Sequence, residues 1–71
     1  MSRLEDIIAR INAAGFRVNN LNQSDEDWGA KLRSKDRVYS AMGVADTPAE
    51  ALEIAFDRIK TLAAPPEDLF S

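Results

Sequence analysis

The hydrophobic positions of this chain change period twice, which predicts a helix, a set of strands and a second helix. Near the start, apolar residues recur at helical spacing, at Leu4, Ile7, Ile8 and Ile11. Ser2 and Glu5 form a capping box before this run, and Gly15 suits the left-handed C-cap after it. We therefore predict a helix from about Arg3 to Ala14.

From Phe16 the apolar positions alternate with a period of two, which is typical of half-buried strands. The polar residues Asn20, Asn22 and Gln23 weaken this alternation, so the first strand is predicted to be short. The acidic stretch 24–27 contains no apolar residue and is predicted to be a solvent-exposed loop.

Two further alternating runs predict a hairpin with a three-residue loop at Ser34, Lys35 and Asp36. In this register the buried face carries Trp28, Ala30, Leu32, Val38, Ser40 and Met42. Tyr39 then lies on the outward face. The alternative is a two-residue loop of Lys35 and Asp36, which turns Tyr39 inward but lacks the glycine that tight turns favour.

The last element begins with a second capping box, formed by Thr47 as N-cap, Pro48 and Glu50. Its apolar stripe consists of Leu52, Ala55, Phe56, Ile59, Leu62 and Ala63. The helix is predicted to run from Pro48 to about Ala63, because Pro65 and the following proline stop it.

The predicted order is therefore helix, strand, strand, strand, helix, which is an α+β fold. Laying both helices on one face of a three-stranded antiparallel sheet buries both apolar helix faces at once. We expect one domain over residues 1–64 and an acidic tail over 65–71. The other face of the sheet is left for solvent or a partner.

The amino-acid composition excludes more kinds of functional site than it indicates. The 71 residues contain no cysteine and no histidine, so disulfides, thiolate or imidazole metal sites and imidazole bases are excluded. We expect no cofactor and no enzymatic activity. No signal peptide or membrane span is evident. The chain is expected to be cytoplasmic and to be a whole small gene product. Its formal net charge is −3.

Two groups of charged residues are candidate binding surfaces. The outward strand positions are predicted to form a basic face that could bind nucleic acid, with Arg17, Lys31, Arg33, Arg37 and Tyr39. The acidic side of the second helix and the apolar residues near it are predicted to bind a protein, with Asp46, Glu50, Glu53, Ile54, Asp57, Leu69 and Phe70. For both groups, ordinary solvated charge is the competing explanation.

The order of elements from Leu4 to Ala63 resembles that of the double-stranded RNA-binding domain. In that family a lysine cluster at the start of the second helix binds phosphate. The matching residues here are Thr47, Pro48 and Ala49 with acidic Asp46 and Glu50, so the family's activity is not carried over.

A second resemblance concerns the segments 28–33 and 47–52, which look like parts of small accessory proteins encoded by phages and prophages. That resemblance implies a stoichiometric binder that inhibits or modifies a host protein. The first hypothesis is thus a non-enzymatic protein-binding module that acts by occlusion. A nucleic-acid-binding module and a structural homodimer are the alternatives.

Overall fold

The computed structural model describes residues 3–63, and their order of elements confirms the predicted α+β fold. Helix α1 spans Arg3–Ala13 and helix α2 spans Pro48–Ala63. Strand β1 spans Phe16–Ser24, β2 spans Asp27–Ser34 and β3 spans Ser40–Ala45. The strands form one antiparallel sheet in the order β1-β2-β3, so β3 is an edge strand.

Both helices lie on the same face of the sheet. Helix α1 packs against β1 and α2, whereas α2 crosses β3 and β2. The largest side chains that are shielded from solvent come from both layers, namely Ile7, Ile11, Leu32, Leu52 and Ile59. The burial of this apolar surface between helices and sheet is the main force that holds the fold together.

The helix ends agree with the sequence to within one residue. Helix α1 ends at Ala13 and not at Ala14, and Gly15 follows with a φ of 94°, the left-handed conformation expected of a C-cap glycine. The hydroxyl of Thr47 accepts a 3.2 Å hydrogen bond from the amide of Glu50, which confirms the N-cap of α2. Ser2 lies outside the described residues.

The apolar stripe of α2 is confirmed for most of its length. Leu52, Ala55 and Ile59 are fully buried, and Phe56 is half-buried against Phe16. Leu62 is the exception, with 54% of its surface exposed. It lines a groove on the flank of the last turn and does not lie over the core.

The predicted four-residue acidic loop is wrong, because its first and last residues belong to the sheet. Ser24, the last residue of β1, pairs with Asp27, the first residue of β2. The connection is a two-residue turn of Asp25 and Glu26 with Asp25 at a φ of 54°. The polar half of β1 pairs with β2 because its backbone hydrogen bonds do not depend on apolar side chains. The first strand is therefore nine residues long.

A β-bulge in β1 explains why simple alternation fails there. The register shifts between Val18 and Asn20, so one extra residue is inserted and the side-chain parity changes. Val18 pairs with Leu32, and Leu21 pairs with Ala30. The bulge thus places two apolar residues that are three positions apart on the same, helix-covered face.

The predicted register of the second hairpin is also wrong. Leu32 pairs with Ala41 and Ala30 pairs with Gly43, which is a shift of three residues relative to the prediction. An odd shift turns β3 over, so Ala41, Gly43 and Ala45 face the helices. The residues that were predicted to be buried are instead exposed or outside the strand pairing, namely Val38, Ser40 and Met42.

Steric fit explains the observed register of β3. A Cβ on Gly43 would lie 2.4 Å from the carbonyl oxygen of Ala51 and 2.7 Å from the amide nitrogen of Ala55. The backbone of α2 therefore rests directly on β3 at this glycine. A large side chain such as Met42 in the same place would hold the helix away from the sheet.

Candidate interaction surfaces

The sheet face opposite the helices, called the open face here, is where the observed register has the largest effect. Its cross-strand rows contain Arg17, Arg33 and Ser40; Asn20, Lys31 and Met42; and Asn22, Gly29 and Val44. Cations therefore lie toward β1 and β2, and apolar side chains lie on β3. The open face is amphipathic across its width.

Met42 and Val44 form an apolar strip on this face. They are two residues apart on one strand, so their side chains are neighbours on the same side of the sheet. They expose 57% and 58% of their surface. Exposed apolar residues that are adjacent are a mark of interaction sites, whereas scattered ones are not.

Gly29 creates a shallow depression beside this strip. It lies in the same row as Val44 on one side and Asn22 on the other. A Cβ at Gly29 would contact only the Oδ1 atom of Asn22, at 3.5 Å, so no other atom fills the space. A side chain of a partner could therefore rest on the Gly29 backbone with Val44 as one wall.

A basic cleft lies at the end of the open face next to the second hairpin loop. Its lining includes four cations, Arg17, Arg33, Lys35 and Arg37, and its volume is about 250 Å³. No carboxylate is part of the lining. Among residues 3–63, none of the four cations takes part in an ion pair.

The loop that carries two of these cations is held by its own hydrogen bonds. The Asp36 carboxylate accepts a 2.5 Å bond from the Ser34 hydroxyl and a 3.0 Å bond from the Val38 amide. The Ser34 oxygen in turn accepts a 3.0 Å bond from the Tyr39 amide. The hydrogen bond from Ser34 and then that from Val38 lower the pKa of Asp36, because they favour the charged carboxylate.

Tyr39 does not join the basic face as predicted. The carbonyl oxygen of Tyr39 accepts a 2.9 Å bond from the Ser34 amide, which extends the β2–β3 register by one pair beyond Arg33 and Ser40. Because Ser34 is buried on the helix side, the same register assigns Tyr39 to that side, where 38% of its surface is exposed. The open face therefore lacks an aromatic residue from this position.

The other members of the predicted basic face do come together. Arg17 and Arg33 lie directly opposite each other, and Lys31 occupies the next row of the open face. Arg37 is in the loop with a φ of 65° and lines the same cleft as the two strand arginines. Lys35, which the sequence analysis assigned only to the turn, completes the cleft.

The predicted acidic surface is brought together only in part. One groove on α2 is lined by Glu50, Glu53, Ile54 and Asp57, together with Arg3 and Arg58. Arg3 forms a 2.8 Å ion pair with Glu53, so cations interrupt the acidic surface. Asp46 is exposed in the turn before α2 and does not line this groove, and residues 69 and 70, Leu69 and Phe70, lie outside the described part of the chain.

Sequence reasoning missed Val44, and with it the depression beside Gly29, because it placed β3 in the wrong register. A usable signal was present in the small residues Ala41, Gly43 and Ala45, which alternate along β3. Small residues recur on α2 as well, at Ala51 and Ala55. Matching small residues on a strand and a helix indicate that the two backbones approach closely.

Comparison with known proteins gave no match to any family model, to any curated protein or to any solved structure. Within residues 3–63, no group of three or more acidic side chains is placed to hold a metal ion. No helix in the same range has the length and apolar character needed to cross a membrane. The surfaces described above are therefore the basis for a functional proposal.

Proposed function

We propose that this chain is a non-enzymatic protein-binding module that occludes a partner's surface with the open face of its sheet. The observation that carries the proposal is the exposure of Met42 and Val44 side by side on that face. Interfaces are built around a desolvated apolar centre with a polar border. The apolar strip supplies such a centre, and the neighbouring cations supply a border.

The partner surface has the complementary chemistry. An apolar or aromatic side chain would fill the depression over Gly29 and contact Val44, and carboxylates around it would face Lys31 and the arginines of the open face. Opposite charges across an interface mainly raise the association rate and select the partner. This mode of action suits a phage-type inhibitor of a host protein, which needs only to cover a working surface.

The open face is preferred over the acidic groove because of the charges around each. Arg3 and Arg58 line the groove together with its carboxylates, and Arg3 is paired with Glu53. The groove is therefore partly neutralised. The four cations of the basic cleft have no such partner among residues 3–63.

The experiment that tests the proposal compares open-face variants in a pull-down from nuclease-treated bacterial lysate, read by mass spectrometry. Val44→Asp places a charge on the apolar strip, and Gly29→Thr fills the depression. Both are expected to weaken capture of a stoichiometric protein by about thirtyfold, the loss typical of a residue worth about 2 kcal/mol at an interface. Circular dichroism and thermal unfolding check that the variants are folded.

Leu62→Asp is the matched control, because Leu62 is an equally exposed apolar residue on α2. It should capture the partner like the unmodified protein. If Val44→Asp also captures normally while Glu50→Arg does not, the acidic groove is the binding site and the open-face proposal is wrong.

Nucleic-acid binding is the second candidate, and the basic cleft is the observation that favours it. Tyr39 is assigned to the helix side, so the open face has no stacking aromatic at that position. Binding of a single-stranded oligonucleotide that weakens steeply with salt and disappears in Arg33→Glu would support this alternative. A salt-insensitive protein complex that survives nuclease would contradict it.

A structural homodimer through the edge of β3 is a less favoured alternative. The Nη1 atom of Arg58 donates a 2.9 Å hydrogen bond to the carbonyl oxygen of Met42. This bond occupies a backbone group of the edge strand, and a covered edge resists pairing with another strand. Light scattering across a concentration series tests this alternative directly.

A further inference from the structure

The basic cleft contains an arrangement that is unfavourable unless an anion is bound. Arg17 and Arg33 lie directly opposite each other on neighbouring strands, and like charges in this position destabilise a sheet. Lys35 and Arg37 line the same cleft from the loop. Four positive charges therefore surround a volume of about 250 Å³.

The nearest carboxylate in the sequence does not neutralise these charges. Asp36 lies between Lys35 and Arg37 but is bonded to the Ser34 hydroxyl and the Val38 amide, and it is not part of the cleft lining. The loop thus directs its carboxylate into its own hydrogen bonds while its two cations line the cleft.

We propose that the basic cleft is a binding site for a single phosphate dianion, as inorganic phosphate or as the phosphate group of a monoester. Arginine guanidinium groups bind phosphate through paired, charge-assisted hydrogen bonds. A dianion matches four cations better than a monoanionic carboxylate does. The cleft is smaller than the sites of about 300 to 1,000 Å³ that enclose whole small molecules, so it accommodates the charged group and little else.

This site shares Arg17 and Arg33 with the cationic border of the proposed protein-binding surface, but it does not use the apolar centre of that surface. It uses Arg17, Arg33, Lys35 and Arg37, whereas the proposed apolar centre uses Met42, Val44 and the depression at Gly29. Phosphate binding can therefore be tested with the protein alone.

In the experiment, sodium phosphate is titrated into the protein at pH 7.5, and binding is monitored by amide NMR shifts and by thermal unfolding. A titration with sodium chloride at equal ionic strength is the reference. Phosphate is expected to raise the unfolding temperature and to move the amide signals of residues 17, 33, 35 and 37. Chloride should do neither. Phosphoserine and a single-stranded oligonucleotide are titrated in the same way to separate a monoester, free phosphate and a diester backbone.

Arg17→Gln and Arg33→Gln each remove one guanidinium and are expected to weaken phosphate binding at least about tenfold, since hydrogen bonds to charged groups are strong. Without phosphate they should be no less stable than the unmodified protein, because the repulsion between the two arginines is relieved. Lys35→Gln, in the exposed loop, provides a second test that leaves the strands unchanged. Arg10→Gln on α1 is the charge-matched control and should bind phosphate normally.

Three results would overturn the proposal. One is an equal response to chloride at the same ionic strength. Another is unchanged phosphate binding in Arg17→Gln, Arg33→Gln and Lys35→Gln. The third is an oligonucleotide that binds more tightly per phosphate than phosphoserine or free phosphate does. Val44→Asp leaves the cleft unchanged, so it separates failure of this site from failure of the protein-binding surface.

Discussion

Gly43→Ala tests the register of β3, on which every open-face assignment depends. The added methyl group would lie 2.4 Å from the Ala51 carbonyl oxygen and 2.7 Å from the Ala55 amide nitrogen. Both atoms belong to the backbone of α2, so neither can rotate away. The helix must move off the sheet or the strand must bend to admit the methyl group.

The expected cost follows from two opposing terms. Overpacking a close-packed core costs about 1 to 3 kcal/mol, and the backbone contacts at Gly43 place it near the upper end. Replacing glycine by alanine in a strand also raises the free energy of unfolding by about 0.5 to 1 kcal/mol, because glycine loses more chain entropy on folding. The net loss is about 2 kcal/mol, which is large beside a total stability of about 4 to 11 kcal/mol for a chain of 71 residues.

Gly29→Ala is the matched control, since it makes the same chemical change in the same sheet. Its Cβ would meet only Asn22, at an ordinary 3.5 Å, so stability should stay equal or rise by about 0.5 kcal/mol. Urea unfolding measures both changes, and a shift of the midpoint at constant slope indicates a change in stability. In the register predicted from sequence Gly43 faces solvent, so equal stability of both variants would refute the observed register.

The other predictions concern the half-buried ring on α2 and the loop carboxylate. Phe56→Ala should lower the free energy of unfolding by about 2 to 3 kcal/mol, because Phe56 is half-buried and meets Phe16 edge-to-face at 6.2 Å. This loss is smaller than the value of about 3 to 5 kcal/mol for a fully buried ring. A loss under about 1 kcal/mol in urea unfolding would contradict this packing. Asp36 should titrate below its ordinary pKa of 3.8. The stability that the charged Asp36 carboxylate gives the folded protein is then present above pH 3.8 and is lost as the pH falls through the lowered pKa. An NMR titration of the carboxyl carbon checks this, and a midpoint at or above 3.8 would refute the hydrogen bonds that Ser34 and Val38 donate.

The candidate surfaces could be predicted from sequence only where they lie on elements whose faces were predicted correctly. Arg17, Lys31 and Arg33 were placed on the open face because their strands alternate around buried neighbours such as Leu32. Met42 was predicted to be buried, since hydrophobicity favours burying it over its smaller neighbour Gly43. The apolar strip was missed for the same reason.

The sequence by itself determined the order of elements, the ends of the helices and the helix faces that are buried. These features are local, because a capping side chain, a C-cap glycine and a period of 3.6 or 2 all act within a few residues. Gly15 and Thr47 carry this information, and the structure confirms both positions.

The tertiary structure decided which side of β3 faces the helices, and with it the composition of the open face. Ala41, Gly43 and Ala45 face α2 because its backbone lies too close for Met42 or Val44. The loop network around Asp36 accommodates that register. The hydrophobicity of the strand residues favoured burying the face that carries Met42. Close packing between helix and sheet had the larger effect, since a larger side chain at this contact would separate the two layers.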